Sequence, residues 1–356
     1  MKVHNFNAGP SILPNEVLYK ASKALIDFEG SGMSILEIGH RTPLFQAVLD
    51  EARALVKELM QLDDDFEVLY LHGGASTQFM QIPMNLLEND STASYIDTGV
   101  WSNKAIKEAK LYGFVDIAAS SKDSSYNHIP KQFNISPKSS YLHITTNNTI
   151  YGTQWHKIPE TTVPLVADMS SDILSRPMDF NKFSLIYAGA QKNMGAAGTT
   201  LVAVRKSILG KVNRKIPTIL DYRNHIENGS MLNTPPVFAI YISMLTLRWL
   251  KDQGGAAAME KQNEKKAAML YSEIDQNPLF RGTVQKEDRS RMNVSFIMDK
   301  PELEEEFLKF CKKEDIVGIK GHRLVGGFRA SLYNALPYES VEVLVEAMKY
   351  FSLKKA

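Results

Sequence analysis

Four short stretches carry residues whose types and spacing could do chemistry. In "IYAGAQKNMG" an apolar run opens into glycines with Lys192 at the mouth. A lysine desolvated at a strand end has a lowered pKa and attacks carbonyl carbons; an exposed loop lysine fits the same letters. In "PLVADMSSD" an apolar run ends on Asp168, which needs a cation or several donors if it is buried; a turn aspartate is the alternative. In "YIDTGVWSNKA" Trp101 follows a strand-like run and opens a helix, where its face could stack on a flat π-system or pack in the core. "FEVLYLHGGASTQF" reads as strand, two glycines, small hydroxyl residues and a helix start. Backbone N–H groups and the helix dipole there suit an anion, although a tight turn needs the same glycines.

Their order along the chain says more than any one of them. Phosphate cradle, stacking aromatic, strand-end acid and then a strand-end lysine 24 residues after the acid match the needs of pyridoxal 5'-phosphate. That cofactor requires a phosphate anchor, a ring stacker, an acid for the pyridinium nitrogen and a carbonyl-trapping lysine. Guanidinium forms a second group. "IGHRTP" supplies His40 and Arg41, and "KGHRLVGGFRASLYN" supplies His322, Arg323 and Arg329. Arginine grips carboxylate and phosphate with two parallel bonds. Two such loops far apart in sequence suggest a substrate with more than one acidic group, with surface salt bridges as the plainer reading.

The elements that must position these residues come from the hydrophobic pattern. After an irregular arm of about 15 residues come a helix over Asn15 to Asp27, capped by Asn15, and a longer one over Pro43 to Leu62. From Phe66 short β-branched runs alternate with helices, which argues for an α/β unit with a mostly parallel, buried sheet. "FSLIYA" and "GTTLVAV", joined by a Gly-rich turn, read as one antiparallel excursion. A charged helix over Ala256 to Asp275 leads into strand, helix, strand, strand, helix, a smaller α+β unit. The organisation expected is a large unit over 16–258, with 1–15 and 259–356 making the small one.

Bulk properties narrow the classes. The chain has 356 residues, 44% hydrophobic and 23% charged, with a net charge of +1. That is ordinary for a globular protein and gives no field for nucleic acid. No apolar run approaches the roughly 18 residues of a membrane span. The lone cysteine, Cys311, lies in the charged helix "PELEEEFLKFCKKED" and is expected to pack. One cysteine and no apolar leader suit a cytoplasmic protein. No metal site is expected.

The chain resembles the phosphoserine aminotransferase family of class V, fold-type I pyridoxal-phosphate enzymes. The resemblance spans nearly the whole chain through "NFNAGPSILP", "EIGHR", "LHGGASTQF", "GVWSNKAIKEA", "ADMSSDILSRPMD", "YAGAQKNMGAAG", "NTPPVFAIY", "RSRMNVSF" and "KGHRLVGGFRASLYNA". It implies the aspartate-aminotransferase-like fold, with a seven-stranded-type sheet. It implies Lys192 as the residue that bonds the cofactor, Asp168 at the pyridine nitrogen, Trp101 on the ring and Thr149 at the phenolic oxygen. Ala75, Ser76 and Gln191 would bind the phosphate, joined by Asn233 and Thr234 from a second subunit of a homodimer. Arg329 would clamp the substrate α-carboxylate, and His40, Arg41, His322 and Arg323 would line the pocket for the distal anion. Some members carry Gly-Arg where this chain has Ala75-Ser76, which leaves less cationic charge at that phosphate. The reaction implied moves the amino group of L-glutamate to 3-phosphohydroxypyruvate, giving O-phospho-L-serine and 2-oxoglutarate, and some members also serve 4-phosphohydroxy-L-threonine in vitamin B6 synthesis.

Other readings stand beside it. A cysteine desulfurase of the same class needs a cysteine on a mobile loop, and Cys311 on a charged helix suits that poorly. A serine–glyoxylate aminotransferase would not need so many anion-binding residues. A non-catalytic phosphoryl-ligand binder would use "HGGAST" alone.

Overall fold

The computed structural model describes residues 3–355. In chain order the elements are β1 (His4–Asn5), α1 (Asn15–Ala24), α2 (Pro43–Met60), β2 (Phe66–Leu71), α3 (Gly74–Leu86), β3 (Thr92–Asp97), α4 (Val100–Ala109), β4 (Phe114–Ser120), β5 (Leu142–Thr145), β6 (Leu165–Asp168), β7 (Leu185–Gly189) and β8 (Thr200–Arg205). Then follow α5 (Tyr222–Glu227), α6 (Val237–Asp252), α7 (Gly255–Gln276), β9 (Phe280–Gly282), β10 (Asn293–Met298), α8 (Glu304–Lys313), β11 (Ile316–Val317), β12 (Phe328–Ser331) and α9 (Tyr338–Lys355).

Seven strands form one sheet in the order β2-β8-β7-β6-β5-β3-β4. Only β8 runs against the others: it pairs antiparallel with both β2 and β7, while the remaining neighbours are parallel. This is the mostly parallel α/β sheet expected, with "FSLIYA" and "GTTLVAV" as its antiparallel pair. Because β2, β3, β5, β6 and β7 all point the same way, the loops after them open on one edge. Ligands of open parallel sheets gather at that edge.

Alternate residues of β7 show how the sheet is covered. Ile186 and Ala188 face a core shared with Phe45 and Val56 of α2 and Ile240 of α6. Leu185 and Tyr187 face the opposite core, with Phe79 of α3 and Ile106 of α4. Burial on both faces requires strands that are apolar throughout, and β7 is buried at every position.

A separate antiparallel sheet, in the order β12-β10-β9, packs on α7, α8 and α9 around a third core. That core is aromatic: Phe307 and Phe328 meet edge to face at 5.2 Å, and Phe307 and Phe351 at 5.1 Å. Such pairs add about 0.5–1.5 kcal/mol each beyond burial. Cys311 is fully buried there, and burial pushes its thiol up to about 12.

Several local expectations change. Asn15 is the first helical residue of α1, not its cap; Pro14 precedes the helix and no side chain caps it. The helix stops at Ala24 rather than Asp27. α2 stops at Met60 because Gln61 turns left-handed (φ 50°) and the Leu62 N–H returns to the Lys57 carbonyl at 3.0 Å. The arm is not wholly irregular: β1 pairs in parallel with β11, and Phe6 behind it is fully buried. Strand β4, on the sheet edge, was not foreseen; most of its residues are at least partly exposed, so it lacks the apolar run that marks the others. Among the described residues no helix is long and apolar enough to cross a membrane.

Candidate active site

Asp168 is the last residue of β6 and is buried. One carboxylate oxygen accepts the Ser170 N–H at 2.9 Å. Four residues on, in the turn after β6, Asp172 is fully buried and accepts from Thr146 Oγ1 and from Gln154 Nε2 (3.2 Å). Burial pushes the Asp172 carboxyl up, opposed by the nearby Arg176 guanidinium.

Lys192 stands three residues beyond β7. It is half-buried, and its Nζ donates to Thr149 Oγ1 at 2.8 Å and lies 5.4 Å from the centre of the Trp101 ring. Burial is the main cause that brings its amine down to about 8. Asp168 and Asp172 pull the other way, and Arg329 adds to the depression. These effects place both carboxylates and the guanidinium within electrostatic reach of one amine. The lysine is therefore not the exposed loop charge that its letters also allowed.

The backbone around Lys192 is held from an unexpected quarter. Ser11 of the N-terminal arm donates its N–H to the Gln191 carbonyl at 2.9 Å and its hydroxyl to the Lys192 carbonyl. The arm is fixed in turn by Tyr333, whose hydroxyl donates to the Ala8 carbonyl at 2.8 Å.

Trp101 lies in the first turn of α4. Ser102 Oγ accepts the N–H groups of Thr98 and Gly99, each at 3.0 Å, and donates to Asp97, which fixes the start of the helix. Among the described residues the Trp101 Nε1 is buried with no partner. Lys104, one turn along, sits 4.7 Å from the ring centre.

The cradle after β2 is built by backbone. Gly73 and Gly74 have φ of 89° and 66°, and α3 starts at Gly74. A Cβ on Gly73 would stand 1.8 Å from Thr77 Oγ1, so only glycine fits. The N–H groups of the first helical turn have no partner within the helix and point to the sheet edge. Ala75 is half-buried and Ser76 is exposed. Beside them, His72 Nε2 is bonded to the Thr234 carbonyl at 2.9 Å, and Asn233 lines a small cavity of about 130 Å³ with His72, Gly73 and Thr77. Asn233 and Thr234 thus lie next to the cradle of their own chain.

Arg329 comes from β12 of the second sheet. Its Nη1 donates to the Thr149 carbonyl at 3.3 Å, and its Nε is buried without a partner among the described residues. Burial lowers the guanidinium from its ordinary value. Ahead of it, residues 321–327 make a tight loop in which a Cβ on Gly327 would come within 2.5 Å of the Phe296 carbonyl oxygen. That loop carries His322, half-buried, and Arg323, exposed. Burial depresses the His322 imidazole, and the charges of Arg329, Arg323 and Lys104 depress it further.

The fold therefore gathers Lys192, Thr149, Trp101, Asp168 and Arg329, with His322 and Arg323 on the adjoining loop. Among the described residues neither His40 nor Arg41 has a polar contact with Lys192, Trp101 or Arg329. His40 Nε2 is buried without a partner and Arg41 is exposed. Three groups at the site escaped the sequence reading. Asp172 had a weak signal, as a second acid in the short stretch that follows Asp168. Lys104 had one too, lying one turn after Trp101 in α4. Ser11 had none, because its contact spans 181 residues.

The donor set fits a flat, phosphate-bearing aldehyde. Free N–H groups wait at the glycine cradle, an aromatic face and a lowered-pKa amine share one space, and a buried carboxylate stands behind them.

Comparisons with known proteins agree. The family model described as aminotransferase class-V matches residues 3–344. The chain is 56% identical over 355 residues to a phosphoserine aminotransferase of Flavobacterium johnsoniae, covering 99% of this chain and 100% of that one. The phosphoserine aminotransferase of Bacillus circulans subsp. alkalophilus has the same fold, with a TM-score of 0.97 and 46% identity over 100% of this chain and 99% of the other. A PLP-bound phosphoserine aminotransferase from Trichomonas vaginalis matches with a TM-score of 0.93 and 37% identity, over 98% and 100% of the two chains. Identity of this size from end to end, on one fold, means that the chain belongs to the phosphoserine aminotransferase family of class V aminotransferases.

Proposed function

We propose that the protein transfers the amino group of L-glutamate to 3-phosphohydroxypyruvate, giving O-phospho-L-serine and 2-oxoglutarate, as a pyridoxal-phosphate enzyme. The observation that carries the reading is Lys192: a half-buried amine lowered to about 8, 2.8 Å from Thr149 and over the Trp101 ring. When bound, pyridoxal 5'-phosphate supplies an aldehyde for the amino group and a ring that takes up the electron pair left by the departing α-proton.

The chain's residues do the rest. Lys192, as a neutral amine, would hold the cofactor through its aldehyde. Its Nζ would also be the general base that takes and holds the substrate α-proton. Asp168 would hold the ring nitrogen in its protonated, electron-accepting form. Trp101 would stack on the ring, and Thr149 would hold its phenolic oxygen. The N–H groups after Gly73, with Ala75, Ser76 and Gln191, would hold the phosphate.

Arg329 grips the α-carboxylate common to both substrates. His40, Arg41, His322 and Arg323 receive the distal group, which is a carboxylate in one substrate and a phosphate in the other. Guanidinium fits both anions. His40 and Arg41 have no bond to the site of their own chain. In the homodimer that this reading includes, the two cradles adjoin across the interface, so that Asn233 and Thr234, beside the cradle of their own chain, also reach the phosphate of the second copy. The two-unit organisation, 16–258 against 1–15 and 259–356, sets Arg329 on the smaller unit facing Lys192 on the larger.

The test is a half-reaction panel read by cofactor absorbance: glutamate first, then 3-phosphohydroxypyruvate and the oxo acid corresponding to 4-phosphohydroxy-L-threonine. Lys192→Ala should abolish the borohydride-sensitive band and nearly all turnover, and undiminished transamination by that variant would sink the assignment. Arg41→Ala should weaken both half-reactions; unchanged kinetics in both would remove Arg41 from the pocket.

A further inference from the structure

Arg329 and Lys192 must stand at a set distance if one substrate is to have its α-carboxylate held by the first and its α-proton taken by the second. Yet they follow or belong to different sheets, and among the described residues the polar tie from the Arg329 side chain to the lysine's surroundings is the 3.3 Å bond from its Nη1 to the Thr149 carbonyl. The firmer tie lies deeper. Three successive backbone carbonyls, at Ile173, Leu174 and Ser175, follow the segment that bears Asp168 and Asp172. Each is taken by a different buried asparagine. Asn193, next to Lys192, donates to Ile173 at 2.7 Å. Asn334, five residues after Arg329, donates to Leu174 at 3.0 Å. Asn263 of α7 donates to Ser175 at 3.0 Å.

The asparagines also hold one another. The Asn334 backbone N–H donates to Asn193 Oδ1 at 2.9 Å, and Asn263 Nδ2 donates to Asn334 Oδ1 at 2.9 Å. Leu174, at the middle of the run, is a left-handed non-glycine residue (φ 56°). That turn aims successive carbonyls at three separate segments, and it persists only where its surroundings over-determine it. One turn further along α7, Lys266 is fully buried and donates to the carbonyls of Leu332, Tyr333 and Leu336, on both sides of Asn334.

We propose that Asn193, Asn334 and Asn263 form a clamp that sets the span between Arg329 and Lys192, and so act as positioning residues for α-carboxylate substrates. Side-chain amides suit the task because each carries donors and an acceptor without a charge, so four segments are joined with no ion to desolvate; Asn263 acts through its Nδ2 alone, its Oδ1 being buried without a partner among the described residues. The inference rests on the function proposed above, because it needs Arg329 to meet an α-carboxylate and Lys192 to meet the α-carbon.

The test compares two amines. L-Glutamate carries the α-carboxylate; 4-aminobutanoate is the same molecule without it and keeps the distal carboxylate. In single turnovers of the cofactor-loaded enzyme, Asn193→Ala should lower kcat/KM for glutamate by roughly 10- to 100-fold, the scale of an ångström-sized misplacement. It should change the reaction with 4-aminobutanoate by less than about twofold. Hydrogen exchange on the protein without cofactor should quicken in the segments 170–176 and 330–336 together. Asn263→Ala, which leaves the Asn193–Asn334 bond in place, should give the same selective loss at smaller size if Asn193→Ala does not fold. Equal losses for both amines, or exchange that quickens in only one segment, would overturn the clamp. A wild-type protein that takes up no cofactor would instead overturn the function it rests on.

Discussion

The titration of Lys192 offers the sharpest test of the site, because the structure gives its direction, its size and its causes. A lysine that falls from 10.5 to about 8 prefers the neutral amine by roughly 3 kcal/mol relative to a solvated one. At pH 7 roughly one amine in ten is then uncharged, against about one in three thousand for an ordinary lysine. The neutral fraction available to attack an aldehyde rises by the same ratio, roughly 300-fold. Competitive acetylation of the protein without cofactor, read by mass spectrometry on the peptide that carries Lys192, should give a midpoint near 8. Two substitutions separate the causes. Arg329→Gln removes a repelling cation and should raise the midpoint; Asp168→Asn removes an attracting anion and should lower it. The sign for stability follows from linkage. Between about pH 8 and 10.5 the unfolded chain holds a proton at this site that the folded chain does not. The site therefore opposes folding most below pH 8, and the opposition fades as pH rises through that window. A midpoint at or above 10 would show a solvated lysine and refute the reasoning, as would an upward shift in Asp168→Asn.

Three further outcomes follow from the geometry. Gly73→Ala puts a Cβ 1.8 Å from Thr77 Oγ1 in a left-handed residue, so thermal or urea unfolding should show a loss of about 1–3 kcal/mol and equilibrium dialysis a weaker hold on cofactor. If both are unchanged, the cradle is not the anchor. Trp101→Phe should raise the cofactor Kd by about tenfold or less, with little change in unfolding, because the ring face shrinks while the lost Nε1 had no partner to strand. A large drop in stability of the unloaded protein would show that Trp101 is mainly a core residue. Lys266→Met leaves the Leu332, Tyr333 and Leu336 carbonyls without the two N–H donors that a neutral amine shares among them, and should cost about 2–4 kcal/mol near pH 10. Burial brings Lys266 down to about 7, so it costs the wild type stability as pH falls from 10.5 towards 7, and the gap to the variant should narrow over that range. A gap that stays constant over that range would contradict a buried neutral amine.

Much of the sheet was legible because buried parallel strands must be apolar at every position. β2, β6 and β7 stand out as short apolar runs, each followed by glycine or acid. The same logic hid β4, which lies on the sheet edge and exposes part of most of its residues. Helix limits were legible only to within a few residues: nothing in the letters says that Gln61 turns left-handed or that Asn15 sits inside its helix. The cradle, the strand-end acid and the strand-end lysine could be picked out one by one, since each follows from a residue type at the end of a run. Their nearness could not be read off, because it depends on β8 inserting between β2 and β7 while the other strands stay parallel.

By itself the sequence determined the α/β class, the parallel sheet and a short list of residues fit for carbonyl and anion chemistry, because period, turn residues and strand ends are local properties. Tertiary structure alone decided that Lys192 is half-buried beside Thr149, that Ser11 of the arm grips the lysine's own backbone, and that three asparagines join the turn after Asp168 to the strand that carries Arg329. Those contacts link positions from 20 to 181 residues apart, and no local pattern encodes them. Burial is what turns the lysine from a surface charge into a nucleophile, and burial belongs to the packed molecule, not to any stretch of its chain.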